Sequence, residues 1–430
     1  MAGVKPLSRA AIIAVGSELL TPSKLDTNSL FITERLNELG VDVAVKAVVG
    51  DDRDELVHVL GAALERVDLV VFCGGLGPTD DDVTRDAVAT ALQRPLAEDE
   101  RLTAHLRARF AARGFARPMP ENNRRQAMVP AGARVIDNAH GSAPGLWIDQ
   151  GDRVVLLLPG PPRELKPMLT ELAKGWLRER ASGAPLVRRV VRVAGRFESE
   201  VDQVLAPLYR AWAGRTPPVA ATILATPGSI EIHVSTQAAS DDVAQAALDT
   251  AVQETVTAIG RDAYSTDGHL LEQIVGELLV ERGLRVGVAE SCTGGLITSR
   301  LTDVPGSSRY VDAAVVTYSN QAKSDFVDVD PALITEHGAV SEPVAIAMAQ
   351  GIRHRAPADV GIGVTGIAGP TGGTPEKPVG TVAIAVASPM GCRVRTFRFF
   401  GDRALVKFQA AQSALDMVRR ILLDSQGQSG

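Results

Sequence analysis

Cysteine is scarce in this chain of 430 residues: only Cys73, Cys292 and Cys392 occur. An odd, scattered set excludes a disulfide framework, and no two of the three stand at metal-ligand spacing. Aromatic residues make up only 4% of the chain. No apolar run approaches the ~20 residues that cross a bilayer, so a membrane role is not expected. Basic charge is not in excess either: 45 Lys and Arg stand against 51 Asp and Glu, for a net charge of −6. With no long basic block, broad nucleic-acid binding through phosphates is not expected. The apolar stretch Ala10 to Val15 is too short for a secretory core, and a reducing, cytoplasmic setting is the expectation.

What is present is length and alternation. The chain exceeds the ~250 to 300 residues at which one core stops growing, which predicts two or three domains. Short aliphatic runs (AIIAVG, VDVAVKAVVG, DLVVFCGG) alternate with helix-period stretches, as in a parallel sheet with helical crossovers. This predicts an α/β fold: two layered α/β domains joined by a small α+β domain and a linker. The first domain is placed at residues 8–172. It ends beyond a buried strand at Val154 to Leu158, where Pro161 and Pro162 precede a helix. The α+β unit is placed at 175–258, with a helix from Glu198 to Tyr209 and a hairpin around ATPGSIEIHVS. A polar linker follows at 259–267, and a third domain at 268–424 closes on the helix ALVKFQAAQSALDMVRRILL. The tail SQGQSG has the composition of a disordered segment.

In the third domain, VGVAESCTGG reads as a strand that ends at Ser291, with Gly294 and Gly295 opening a helix. A hydroxyl there sits beside unpaired N–H groups and the positive end of the helix dipole. Ser291 and Thr293 are open to two readings: helix caps, or a nucleophile beside an oxyanion site. No histidine spacing supports a Ser-His-Asp arrangement. Lys323, following Tyr318 in VVTYSNQAK, can act as a base if burial keeps it partly neutral, and is otherwise a surface lysine. Cys292 competes as nucleophile, but neighbouring side chains point apart, which makes it a structural thiol. The glycine-rich loop from Gly363 to Thr381 permits close approach to a ligand. Thr365 at the strand end can orient a substrate, and the fork of Arg403 can hold a phosphate.

In the first domain, GGLGPTDDDVT carries Gly74, Gly75 and the acids Asp80, Asp81 and Asp82 to the carboxyl end of the sheet, the edge at which open α/β sheets bind ligands. Adjacent acids suit a divalent cation bridging a pyrophosphate, or a helix cap. The VVGDD segment adds Asp51 and Asp52.

The ordered set AESCTGG, TYSNQAK, HGAVSE, VTGIAGP, GGTPEKPVGT and FFGDR resembles the C-terminal domain of the CinA family, whose stand-alone relatives are nicotinamide mononucleotide deamidases. The resemblance implies Ser291 as nucleophile, Tyr318 and Lys323 as the groups that deprotonate it, and Thr293, Gly294, Gly295, Thr365 and Arg403 around the substrate. No metal or cofactor is implied for that step. The first domain, with AVGSELL, ENNRRQA, GSAPG and LLPGPP, resembles the N-terminal part of CinA and, more distantly, the MoaB/MogA molybdopterin-binding fold. This implies a metal-dependent ADP-ribose pyrophosphatase with a site of Gly74, Gly75, Asp81, Asp82 and Asp52, the metal held by Asp82 and Asp52. Asp80 departs from the usual motif, which often has Lys there. The middle unit resembles a KH module but lacks GxxG, which suits a spacer or dimerisation element. The resemblance also implies a homodimer, and an alternative role as a nucleotide- or pterin-binding adaptor in competence or DNA damage.

Overall fold

A computed structural model of the chain describes residues 5–112, 119–181, 183–226 and 228–424. The tail 425–430 lies outside the described residues. The chain divides into two compact units: Met1–Val187 with Thr236–Gln245, and Arg188–Ser235 with Ala246–Gly430.

The first unit is built on a six-stranded sheet. Its strands run in the order Asp42–Val49, Arg9–Val15, Leu69–Cys73, Arg153–Leu158, Gly145–Gln150 and Arg134–Ile136. The first four are parallel, with Ile12 opposite Val71 and Val71 opposite Leu156. The last two are antiparallel, so the sheet is mixed rather than purely parallel. Ala10 to Val15 and Leu69 to Cys73 are buried continuously, because helices cover both faces of a central parallel strand. One layer of core gathers Ile12, Val71, Leu156, Ile32, Leu165 and Leu169, and the opposite layer gathers Ile13, Phe72, Leu157, Leu56 and Leu60.

The domain boundary expected at 172 moves onward. Leu177 on the helix Trp176–Arg180 is buried in the first core, and the rings of Trp176 and Trp147 meet edge to face at 5.9 Å. Apolar burial therefore carries the edge of the unit past 172.

Two further large sheets follow. A four-stranded sheet runs in the order Val219–Thr226, Ser229–Gln237, Leu186–Val193 and Ala263–Ser265. Its last strand falls within the expected linker 259–267 and pairs antiparallel with Leu186–Val193. The polar composition of that stretch reflects its ion pairs. Asp262 receives Arg196 and Arg420 at 2.5 and 2.7 Å, and Asp416 receives Arg420 at 2.6 Å. The middle sheet is thereby fastened to the closing helix Arg403–Asp424.

A five-stranded sheet runs in the order Val311–Val316, Val286–Glu290, Val360–Gly366, Thr381–Ser388 and Gly391–Arg398. The first three are parallel and the last two form antiparallel partners. The edge strand Gly391–Arg398 was not anticipated from the sequence. Its exposed arginines interrupt the apolar pattern, as edge strands require. Gly363 explains the glycines of the central strand: a methyl group there would lie 2.3 Å from the Ala345 carbonyl oxygen. Helix Glu342–Arg355 packs directly on strand backbone at that point.

Candidate active site

Strand Val286–Glu290 delivers Ser291 to the carboxyl edge of the five-stranded sheet, where its N–H donates to the Val364 carbonyl at 2.9 Å. The chain then turns through Gly294 and Gly295, whose φ values of 63° and 90° lie in the left-handed region. Glycine adopts that conformation without a Cβ penalty. Helix Leu296–Thr302 starts immediately afterwards.

Glu290 closes this turn and was not singled out in the sequence. It is fully buried, and its carboxylate accepts from the amides of Gly295, Ile297 and Thr298 and from the Thr298 hydroxyl, at 2.7 to 3.2 Å. A buried carboxylate is tolerated where charge-assisted hydrogen bonds replace its water. The helix-start amides expected to hold an anion are thus already occupied. The Gly294 amide is also engaged, donating to the Ser291 carbonyl at 3.1 Å. Among the described residues, the amides of Cys292 and Thr293 donate to no backbone carbonyl.

Lys323 reaches the same turn from the neighbouring strand. After Val311–Val316, Ser319 caps helix Asn320–Val327 by accepting from the Ala322 amide at 3.0 Å, which places Lys323 one turn inside. Its side chain is 2% exposed. Nζ lies 3.2 Å from Ser291 Oγ and donates to the Thr317 carbonyl at 2.9 Å. No carboxylate pairs with it among the described residues, and burial pushes its pKa below the ordinary lysine value of 10.5. Thr317, also unanticipated, is fully buried and anchors the pair from both sides, its own amide donating to the Glu290 carbonyl at 2.7 Å.

Cys292 faces the other way. It is buried in the apolar core with Leu301 and Val406, and desolvation pushes its thiol up to about 12. A thiolate is thereby suppressed at neutral pH.

Tyr318 sits apart from Lys323. Its exposed hydroxyl accepts from Arg403 at 2.6 Å, and it forms no hydrogen bond to Ser291 or Lys323 among the described residues. Of the two groups implied to deprotonate Ser291, Lys323 reaches its hydroxyl directly, while Tyr318 pairs with Arg403. Arg403 also donates to the Gly369 carbonyl at 2.9 Å, holding the glycine-rich loop. Thr365 is buried, and its hydroxyl donates to the Ala339 carbonyl at 2.8 Å, tying the strand end to the HGAVSE segment.

The first unit has a cleft of about 380 Å³ at the carboxyl ends of its parallel strands, lined by Gly74, Gly75, Asp81, Asp82, Asp51 and Glu164 among others. Asp82 is committed to its own loop: it accepts from the Gly77 amide at 2.7 Å and from the Thr79 amide and hydroxyl at 2.9 and 2.5 Å. Asp52 turns away to cap helix Arg53–Leu64, accepting from the amides of Asp54 and Glu55. Asp80 is drawn to Arg125 at 2.5 Å. No group of three candidate metal ligands occurs among the described residues. The expected Asp82–Asp52 metal pair is not offered by this geometry, because helix capping claims Asp52. Asp51, one residue earlier, faces the cleft instead.

Residues 269–422 match the profile of the CinA C-terminal domain, and residues 11–179 match that of a domain described as a probable molybdopterin binding domain. A CinA-like protein of Koribacter versatilis is 49% identical over 96% of this chain and 100% of its own length. The chain belongs to the CinA family. A second CinA-like protein, from Acidobacterium capsulatum, is 46% identical over 96% of this chain and 100% of that relative. Among solved structures, the competence/damage inducible protein CihA from Agrobacterium tumefaciens is 40% identical. The match covers 36% of this chain and 93% of that one, with a TM-score of 0.35. In this CinA-family chain the Ser291 turn lies within the C-terminal match and the acidic cleft within the N-terminal one.

Proposed function

We propose that the C-terminal part of this CinA-family chain hydrolyses the carboxamide of nicotinamide mononucleotide to nicotinate mononucleotide and ammonia. The observation that carries the reading is the buried Lys323 amine, unpaired with any carboxylate among the described residues, 3.2 Å from Ser291 Oγ. A structural lysine in such a place would be paired; a lysine held toward neutrality beside a hydroxyl is what a serine nucleophile needs.

In this mechanism neutral Lys323 takes the Ser291 proton as Oγ attacks the carboxamide carbon. The developing oxyanion is met by the remaining donors of the turn, the Cys292 and Thr293 amides. The C–N bond then breaks, Lys323 returns its proton to the leaving nitrogen, and ammonia departs. Lys323 next deprotonates a water, which attacks the acyl ester; the C–O bond to Ser291 breaks and Oγ recovers its proton. Thr317 positions Lys323, while Tyr318 orients Arg403 at the substrate side.

For the first unit we propose binding of a phosphorylated nucleotide, ADP-ribose being the resemblance's candidate, in the cleft at the Gly74–Gly75 turn. The proposal stops at binding: Asp52 caps helix Arg53–Leu64 and Asp82 accepts from its own loop.

The test is incubation of the purified chain with nicotinamide mononucleotide, following ammonia and nicotinate mononucleotide together. Equimolar appearance of both is expected. Binding without turnover would instead favour an adaptor role.

A further inference from the structure

Lys407 stands at the Ser291 turn without an assignment. It lies one helical turn after Arg403 on Arg403–Asp424, so both cations share a face of that helix. A methyl group placed on Gly294 would lie 3.4 Å from Lys407 Nζ, which puts the ammonium in contact distance of the turn. Its side chain is half-buried, and it has no ion pair or hydrogen bond among the described residues. The nearest acid in sequence, Asp402, is committed to the Leu405 amide at 2.8 Å. Thr293, next to Gly294, is fully buried, and its hydroxyl has no partner among the described residues.

A partly desolvated cation and an orphaned hydroxyl flanking one turn have the donor chemistry of an anion site. The amides of Gly295, Ile297 and Thr298 cannot supply it, because Glu290 occupies them. We infer that Lys407 is a specificity-determining residue that grips the phosphate monoester of the substrate, with Arg403 alongside, and so selects a nucleotide over its nucleoside. This rests on the carboxamide-hydrolase reading. It adds that phosphate recognition comes from the closing helix, not from the glycine turn itself.

The test uses the full chain and its unreactive product. Nicotinate mononucleotide and nicotinate riboside are titrated calorimetrically into wild type, Lys407→Met and Lys407→Arg. Lys407→Met keeps the apolar stem and removes the charge. It is expected to weaken mononucleotide binding roughly ten-fold or more, leave riboside binding unchanged, and be largely rescued by Lys407→Arg. Equal weakening of both ligands, or no weakening of either, overturns the inference. If the expected binding pattern holds while wild type releases no ammonia from nicotinamide mononucleotide, the phosphate site stands and the hydrolase reading fails. Failure of wild type to bind the mononucleotide overturns the phosphate site, and ammonia release then decides the hydrolase reading by itself.

Discussion

Tyr318 and Arg403, 85 positions apart in the chain, meet through a 2.6 Å hydrogen bond at the open side of the Ser291 turn. The bond joins the end of one strand to the start of the closing helix, and Arg403 carries the Gly369 loop with it. Residues that act as one unit lose their contribution together. Tyr318→Phe and Arg403→Ala are each expected to lower kcat/KM for nicotinamide mononucleotide, with the double variant no worse than Arg403→Ala alone. Multiplicative losses in the double-mutant cycle would separate the two residues.

Lys323 sets the pH dependence. Because burial lowers its pKa below 10.5, kcat/KM is expected to rise with pH and level off at a midpoint below that value. The sign for stability follows from the same shift. Between the lowered folded pKa and 10.5 the unfolded chain binds more protons, so the penalty at this group is full below the folded pKa and fades as pH rises toward 10.5. A pH–rate profile checks the first statement; a midpoint at or above 10.5 contradicts it.

Glu290 is expected to matter for stability before chemistry. Glu290→Ala leaves the Gly295, Ile297 and Thr298 amides without their acceptor, at a cost of about 3 kcal/mol or more. Glu290→Gln keeps the volume but turns an amide NH2 toward N–H donors, and loses much of the same stability. Thermal unfolding with and without the variants reads this directly; an unchanged midpoint for Glu290→Ala contradicts the capping role.

In the first unit, Asp52 and Asp51 separate cap from cleft. Asp52→Ala is expected to cost about 1 kcal/mol as a lost N-cap while leaving ADP-ribose binding unchanged. Asp51→Ala alters binding. A titration showing the reverse order would return Asp52 to the site.

The alternation of aliphatic runs and helical stretches made the α/β class legible, as did the strand ending at Ser291, because both follow from local period and burial. The antiparallel partners did not show: Gly391–Arg398 is an edge strand whose arginines mask its pattern. Ala263–Ser265 reads as linker because its polar neighbours are pairing charges rather than facing solvent. At the site, residue types left Ser291 open between cap and nucleophile and Lys323 between base and surface lysine; the family resemblance, not the local pattern, singled them out, and neither showed their surroundings. Glu290 reads as the last residue of an apolar strand, and only the folded turn shows its carboxylate satisfying the next helix. Asp52 and Asp51 are indistinguishable in sequence; one residue of register decides which caps and which faces the cleft.

In the proposed mechanism Ser291 attacks and Lys323 takes its proton as one unit. Its most direct test is kcat/KM on nicotinamide mononucleotide for Ser291→Ala, Lys323→Met and the double variant, each with its unfolding midpoint. Each single change is predicted to lower turnover by roughly a thousand-fold or more, and the double change to lower it no further. Retention of ammonia release by folded Ser291→Ala, or losses that multiply in the double variant, would contradict it.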